Sequence, residues 1–361
     1  MFDLDLDDEL SLLVETASGF AADELTPRLR DAESARAVDT GARAAFAQIG
    51  LAGLELPEAA GGAGLASLAR VLVNEELGAA DAGAALALDP LGPALYPLLE
   101  AGGETALREH GLPLLEEEGA RAVLVLEREA RLEVDGDRVS GSVPWVPADR
   151  VDLLVVLRAD EALLLREGIR ATPLRGAGLR AAGASELRLE GARVAARLPG
   201  SDAAERARGR ARLYAASLLL GVLRHAADFS RAYAQERVAF GRPIAHHQGL
   251  AFLITDMHMA VEGARWLVRD AAWRADAGHP FADVAAAAFA EVADAARLVG
   301  PNGVQILGGH GFMQDYPMEK AMREARALSL WLGGGDAAVD TAGRALCDGP
   351  HPVALSHGGV L

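Results

Sequence analysis

The chain has 361 residues and a formal net charge of −17, and this length predicts two or three packing units with an ample core. The acidic charge argues against a nucleic-acid partner and against an anionic membrane surface. The only cysteine, Cys347, excludes an internal disulfide and a cysteine-based metal cluster. Neither a basic signal segment nor an apolar run long enough to span a bilayer is apparent. We therefore expect a cytoplasmic protein.

The first 117 residues are predicted to form a helical domain. Apolar residues recur at i, i+3 and i+4 in Leu10–Ala22 and in Val38–Ile49, which is typical of amphipathic helices. Pro57 and the pair Gly61-Gly62 interrupt this pattern, and a further helix is predicted to start near Leu65.

Residues 118–202 are predicted to form a small β domain, because the hydrophobic period shortens near residue 120. The pair Asp135-Gly136 lies between two alternating runs and indicates a hairpin turn. The predicted strands are Arg121–Glu127, the two halves of Ala130–Gly141, Val151–Leu157, Glu161–Glu167 and Ser185–Ala195.

Residues 203–347 are predicted to form a four-helix bundle that oligomerises and contains no strand between residues 204 and 346, followed by a tail at 348–361. Glycine or proline marks most junctions, and long antiparallel helices with short links make a bundle. Trp266 and Trp273, seven residues apart, are predicted to lie in its core. The fold class is thus α+β, mainly α. The predicted helices are Ala204–Arg237, Gln248–Ala277, Phe281–Gly300 and Met318–Ser329, with a last one at Asp336–Cys347.

Two motifs in this helical part carry candidate ligand-binding residues. The first, ERVAFGRPIAHHQG, places Arg237, Phe240 and Gln248 around one helix-to-helix turn. The second, VQILGGHGF, places Gln305 before the pair Gly308-Gly309. Glycines allow backbone N–H groups to approach a ligand closely, and a helix N-terminus favours a phosphate.

In these two motifs, and in its helical, β, helical order, the chain resembles the acyl-CoA dehydrogenase family. Its members are flavin enzymes that desaturate acyl-CoA thioesters. The segment Leu54–Gly83, with its Pro-Glu and Gly-Gly turn before a helix, is also similar to the family's N-terminal domain. The resemblance covers nearly the whole chain.

The resemblance implies an FAD site shared between subunits. Arg237 and Phe240 would contact the diphosphate and adenine regions, and Gln248, Gln305 and the Gly308-Gly309 turn would serve the flavin of a neighbouring subunit. An arginine offers a fixed fork of donors to a diphosphate. The alternative is that Arg237 caps its helix and the glycines only turn the chain.

The resemblance also implies an acyl-CoA contact at Arg212. The alternative is a solvated arginine in the arginine-rich run Arg206–Arg212. The neighbouring His246 and His247 do not indicate a metal site, because adjacent helical residues face about 100° apart.

The family's catalytic base is missing at both of its known positions. Leu332 stands where most members carry a glutamate, and Ala211 stands at the alternative position. Neither side chain can take a proton, and Gly334 replaces the threonine that usually follows the base. Asp336 and Glu205 are the nearest carboxylates in sequence, and each is a candidate for a displaced base.

The β domain departs from the family as well. The family's flavin loop should follow Leu126, but the chain continues directly through Glu127–Glu129 into the next strand. Trp145 retains the family's flavin-binding tryptophan. Pro147 replaces a threonine two positions later, so a donor to the flavin ring is lost.

Three hypotheses follow for the function. The first is an FAD-dependent α,β-desaturation of an acyl-CoA, with electrons passed to an electron-transfer flavoprotein. In that case the chain is a base-less subunit that works with another family member. The second is a non-catalytic scaffold of the same fold that binds no flavin. The third is a different flavin reaction, such as oxidation of an acyl chain on a carrier protein.

Overall fold

The computed structural model describes residues 6–348, so most of the predicted tail lies outside the described residues. The N-terminal part is helical, as predicted. Asp7 caps the first helix by accepting a hydrogen bond from the N–H of Leu10 at 2.8 Å. Its longer helices are α1 (Asp8–Phe20), α2 (Leu29–Ala35), α3 (Thr40–Gln48) and α4 (Ser67–Leu88), followed by the short helices α5 (Leu95–Pro97), α6 (Gly103–Ala106) and α7 (Leu112–Glu116).

The middle of the chain forms a small sheet, again as predicted. Its strands are β1 (Ala122–Leu126), β2 (Arg131–Asp135), β3 (Arg138–Val146), β4 (Leu153–Leu157), β5 (Glu161–Leu165), β6 (Ile169–Pro173) and β7 (Ser185–Pro199). The hydrogen-bonded order is β1-β4-β5-β7-β3-β2, with β6 also paired to β7. Only β1 and β4 run parallel among the pairs of this sheet. Strand β6 was not predicted, because three of its five residues are polar or proline.

The C-terminal part is a bundle of helices, which confirms the predicted class. Its helices are α8 (Ser201–Glu236), α9 (Gln248–Asp276), α10 (Ala282–Leu307), α11 (Met318–Leu330) and α12 (Gly334–Asp348). The predicted end of α10 at Gly300 is wrong, since the helix continues through Pro301. Among the described residues, no helix combines the length and apolarity needed to cross a membrane.

One prediction about this bundle is wrong in a small segment. Residues 204–346 contain a two-stranded ribbon, in which β8 (Val238–Ala239) pairs with β9 (Arg242–Pro243). The ribbon forms because Phe240 and Gly241 both adopt positive φ, at 54° and 79°, as a two-residue hairpin turn requires.

The predicted burial of two tryptophans is also wrong. Trp266 and Trp273 are 43% and 54% exposed on α9. Phe252 and Met259 continue the same stripe at seven-residue spacing and are 60% and 66% exposed. A seven-residue repeat keeps side chains on one face of a helix. The sequence spacing was therefore an indication of an outward apolar face, which a single chain leaves uncovered.

Candidate functional site

The turn between α11 and α12 holds Leu332, the residue that is expected from the sequence at the base position. Leu332 has φ of 53° and is completely buried. Gly333 and Gly334 follow with φ of 86° and 72°. Three successive residues in the left-handed region make a tight turn whose N–H groups point to one side. Three cavities border this turn.

The first cavity, named the Arg212 cleft, has a volume of about 440 Å³ and lies between the sheet and the bundle. A side chain at Gly333 would touch Leu126 and Arg128, two residues of its wall. Five arginines and three carboxylates line it: Arg128, Arg158, Arg208, Arg212 and Arg344, with Glu127, Glu205 and Asp340. The surplus of positive charge suits an anionic ligand.

Arg212 is 2% exposed, and no carboxylate among the described residues lies within ion-pair distance of it. It donates to the hydroxyl of Thr341 at 3.1 Å and to the carbonyl of Ala337 at 3.4 Å. Burial, followed by the charges of Arg208 and Arg128, lowers the pKa of its guanidinium to about 10. A buried, unpaired cation beside two others is costly to the fold. Charged side chains with such a cost to stability are concentrated at sites that bind a ligand.

The other candidates for proton transfer do not meet at the turn. Ala211 is completely buried on α8. Glu205 lines the Arg212 cleft on its exposed side. Asp336 has a fully exposed side chain and lies 3.7 Å from Arg297. Neither carboxylate occupies the place that Leu332 leaves without a base.

The second cavity, named the Trp145 cleft, has a volume of about 600 Å³. Trp145 forms part of one wall, and the loop Gly176–Gly178 lies beside it. The opposite wall is built by α10 and α11, with Arg297, Arg323 and Arg326 among its residues. Leu330, at the start of the turn, reaches this cleft. An apolar cleft with an aromatic side chain and arginines in its walls suits an aromatic, phosphate-bearing ligand.

The third cavity lies beside Trp331 and measures only about 10 Å³. Arg121 closes it, because its guanidinium donates to the carbonyls of Leu86 and, at 3.3 Å, of Pro147. This space is too small for an acyl chain. Pro147 lacks an N–H, and its carbonyl accepts a hydrogen bond from Arg121 rather than from a ligand.

Glu129 is a residue of this site that sequence analysis missed. Its carboxylate accepts hydrogen bonds from the N–H of Gly333 and from the N–H of Leu126, both at 2.9 Å. The N–H of Leu332 also lies near this carboxylate. Burial raises the pKa of Glu129, and these backbone bonds oppose the rise. Both oxygens are held by backbone N–H groups, so this carboxylate is fixed against the turn.

The two sequence motifs meet on another surface, named the Gln305 groove. Arg237, Gln305, Gly308 and Gly309 line it together, with a volume of about 590 Å³. Gly308 has φ of 58° and ends α10. The groove is open to solvent, since all four of these residues are exposed.

Phe240 and Gln248 are close in sequence to Arg237 and Leu250, which line this groove, but they do not line it themselves. Phe240 is 96% exposed at the tip of the ribbon, with its ring edge-on to His247. A positive φ is strained for an aromatic residue, and such strain is concentrated at functional sites. Gln248 is the exposed first residue of α9.

Comparisons with known proteins show the family of this chain. Residues 7–118 match the acyl-CoA dehydrogenase N-terminal domain, and residues 199–347 match the acyl-CoA dehydrogenase C-terminal domain. The chain belongs to the acyl-CoA dehydrogenase family. Members of this family are flavoprotein dehydrogenases of acyl-CoA.

Individual family members cover almost the whole chain. The probable acyl-CoA dehydrogenase fadE25 of Mycobacterium leprae is 29% identical and covers 92% of this chain and 94% of its own length. The cyclohex-1-ene-1-carbonyl-CoA dehydrogenase of Syntrophus aciditrophicus is 29% identical, with 95% and 91% covered. The structure of butyryl-CoA dehydrogenase from Megasphaera elsdenii matches with a TM-score of 0.84 at 25% identity, over 96% of this chain and 100% of that one.

The residues of this family member fit a flavin unevenly. The Gln305 groove offers an arginine, an amide and two glycines on an open surface, which fits the phosphate or adenine part of a dinucleotide. The interior does not fit the ring equally well. The N–H of Leu126 already donates to Glu129, and Pro147 has no N–H, so neither residue offers a backbone donor to a flavin ring.

Proposed function

We propose that the chain is a base-less subunit of an FAD-dependent acyl-CoA dehydrogenase that works with a glutamate-bearing family member. One contrast carries the proposal. Both base positions, Leu332 and Ala211, are completely buried hydrocarbon, whereas the groove with Arg237 and Gln305 remains open to a neighbouring subunit.

The chemistry explains why a partner is needed. Desaturation removes a proton from Cα and a hydride from Cβ of the acyl-CoA and leaves an enoyl-CoA. A positioned general base is typically worth about 10²–10⁴-fold in rate. Among the described residues, the carboxylate at the turn is that of Glu129, and backbone N–H groups hold both of its oxygens. A bound flavin supplies the acceptor for the hydride, and an electron-transfer flavoprotein would then reoxidise it.

This chain's own residues would serve the partner's cofactor. Arg237 would hold a diphosphate, Phe240 would offer a stacking face, and Gln305 with Gly309 would approach the dinucleotide. Gln248, at the start of α9, would contribute an amide. Trp145, in its own cleft, would face a flavin ring if the chain held one.

The exposed stripe on α9 supports an oligomer. Phe252, Met259, Trp266 and Trp273 present a large apolar face, and aromatic residues and methionine are enriched at protein interfaces. A neighbouring family member packed on α9 would lie beside the Gln305 groove, since α9 begins next to Leu250 of that groove.

The Arg212 cleft would receive the anionic part of the substrate. Coenzyme A carries phosphates, and Arg212 with Arg208 provides charge without a carboxylate partner for Arg212 among the described residues. The acyl chain has no room beside Trp331, where the cavity is about 10 Å³. This supports turnover in the partner's site rather than in this one.

The second candidate is a scaffold that binds no flavin. The contact of Glu129 with the base-position turn and the loss of the N–H at Pro147 favour it. The decisive experiment is co-expression with a glutamate-bearing family member encoded nearby, followed by measurement of flavin per purified complex. A colourless complex would favour the scaffold.

Gly309→Leu tests the groove itself. A side chain at Gly309 would meet no atom within 4 Å in this chain, so we expect an intact oligomer whose stability changes by about 0.5 kcal/mol or less. Overpacking costs about 1–3 kcal/mol, so flavin binding should weaken roughly 5–150-fold.

The matched control is Gly19→Leu, an exposed helical glycine that also has no atom within 4 Å. It should retain the flavin content of the unchanged complex. Equal flavin content in both variants, at equal oligomer size, would contradict the assignment of Gly309.

A further inference from the structure

The turn Leu332–Gly334, named the nest, holds three successive residues with positive φ. A tight turn can present successive backbone N–H groups to an anion. The N–H of Gly334 is used within the turn, donating to the carbonyl of Trp331 at 3.0 Å. The N–H groups of Leu332 and Gly333 are left for an acceptor outside the turn.

That acceptor comes from a distant part of the chain. Glu129 lies 204 residues before Gly333, on the short turn that replaces a longer loop, and its Oε1 is 2.9 Å from the N–H of Gly333. The other oxygen accepts from Leu126 at 2.9 Å. The 15-residue helix α12 begins directly behind the nest, and the N-terminal end of a helix favours a negative charge.

We propose that the nest at Leu332–Gly334 is a carboxylate-binding site whose resident ligand is the side chain of Glu129. The contact closes the cleft between the sheet and the bundle at the vacant base position. A free carboxylate can reach the nest only when Glu129 is absent. This inference does not depend on flavin or on a partner, so its failure leaves the proposed function untouched.

The neighbouring Glu127 provides a control with the same charge on the same turn. Its carboxylate pairs with Arg158 at 2.8 Å, and it makes no hydrogen bond to the nest among the described residues. Any effect of bulk charge or of turn flexibility should therefore appear in Glu127→Ala as well as in Glu129→Ala.

The test is chemical rescue of Glu129→Ala by sodium acetate in the full chain, followed by thermal unfolding. Leaving buried N–H groups without an acceptor should lower the midpoint by about 2–6 °C. Acetate should restore it in a saturable way, whereas sodium chloride at equal ionic strength should not. The unchanged chain and Glu127→Ala should respond alike to both salts.

Two results would overturn the inference. One is an unchanged midpoint in Glu129→Ala, and the other is a recovery no greater in acetate than in chloride. If Glu129→Ala does not fold, Glu129→Asp replaces it, because the shorter side chain keeps the charge but withdraws the carboxylate from the nest. It should unfold at a lower temperature than the unchanged chain, with partial rescue by acetate, and an unchanged midpoint would refute the site.

Discussion

Replacing Arg212 by methionine should make the protein more stable and weaken its hold on coenzyme A. Arg212 is 2% exposed, and burial lowers its pKa to about 10. Since arginine ordinarily titrates above about 12, the difference of at least about 2 pKa units corresponds to roughly 3 kcal/mol against the charged form. Methionine is similar in volume and carries no charge. Buried charges replaced by apolar groups of similar volume often stabilise by about 1–4 kcal/mol.

The groups that accept hydrogen bonds from Arg212 keep a partner when Arg212 is replaced. The hydroxyl of Thr341 already donates to the carbonyl of Ala337 at 2.9 Å, so both keep a partner in Arg212→Met. We therefore expect the free energy of unfolding in urea to rise by about 1–3 kcal/mol. Losing charge-assisted hydrogen bonds worth about 1.5–3 kcal/mol should weaken coenzyme A binding roughly 10–150-fold.

Calorimetric titration with coenzyme A and urea unfolding measure the two effects separately. Arg206→Met is the matched control, because Arg206 lies on the same helix but pairs with Glu100 at 2.7 Å on the surface. It should change neither quantity by more than about 1 kcal/mol. A less stable Arg212→Met with undiminished coenzyme A affinity would show that Arg212 is structural and would refute the argument.

Two further predictions concern buried carboxylates. Leu332→Glu should give no acyl-CoA turnover by itself, because the new side chain would be buried beside the carboxylate of Glu129; a glutamate-bearing partner should give turnover, and efficient desaturation by the unchanged chain alone would contradict this. Burial raises the pKa of Glu324 to about 7, so its contribution to stability is full below its ordinary pKa near 4.5 and is lost as pH rises through about 7. Between about pH 4 and about pH 8, the free energy of unfolding of the unchanged chain should therefore decrease, and that of Glu324→Gln should decrease less, by up to roughly 3 kcal/mol. Equal decreases in the two proteins would contradict this prediction. The charged groups that face Glu324 are Lys320, Asp81 and Glu33.

The sequence predicted the fold because the hydrophobic period changes where the structure changes. Helix α9 was placed almost to the residue, since Gln248 follows a turn that contains Gly241 and Pro243, and Gly278 ends the pattern. The end of α10 was misplaced, because the pair Gly300-Pro301 favours a break locally. The helix continues past it because α10 packs against four other helices of the bundle, and tertiary packing overrides local preference.

The site was predicted in part, for a related reason. Arg237 and Gln305 belong to recognisable motifs, and the structure brings both into one groove. Glu129 carries no such pattern, since its partner Gly333 is 204 residues away. The exposure of Trp266 could have been inferred from the heptad spacing with Phe252, had the spacing been weighed as an interface rather than as a core.

The resemblance implies groups that this chain has on one surface and lacks on another, and this distribution supports the proposed partnered enzyme over a scaffold. The expected groups are absent in the interior, at Leu332 and Pro147, where only the chain's own turnover would need them. Retention is concentrated on the open side, at Arg237 and Gln305. A scaffold would gain nothing from a strained, fully exposed Phe240, because strain at a position without a ligand only destabilises the fold. A subunit that completes a neighbour's cofactor site would need these exposed groups and could lose the buried ones.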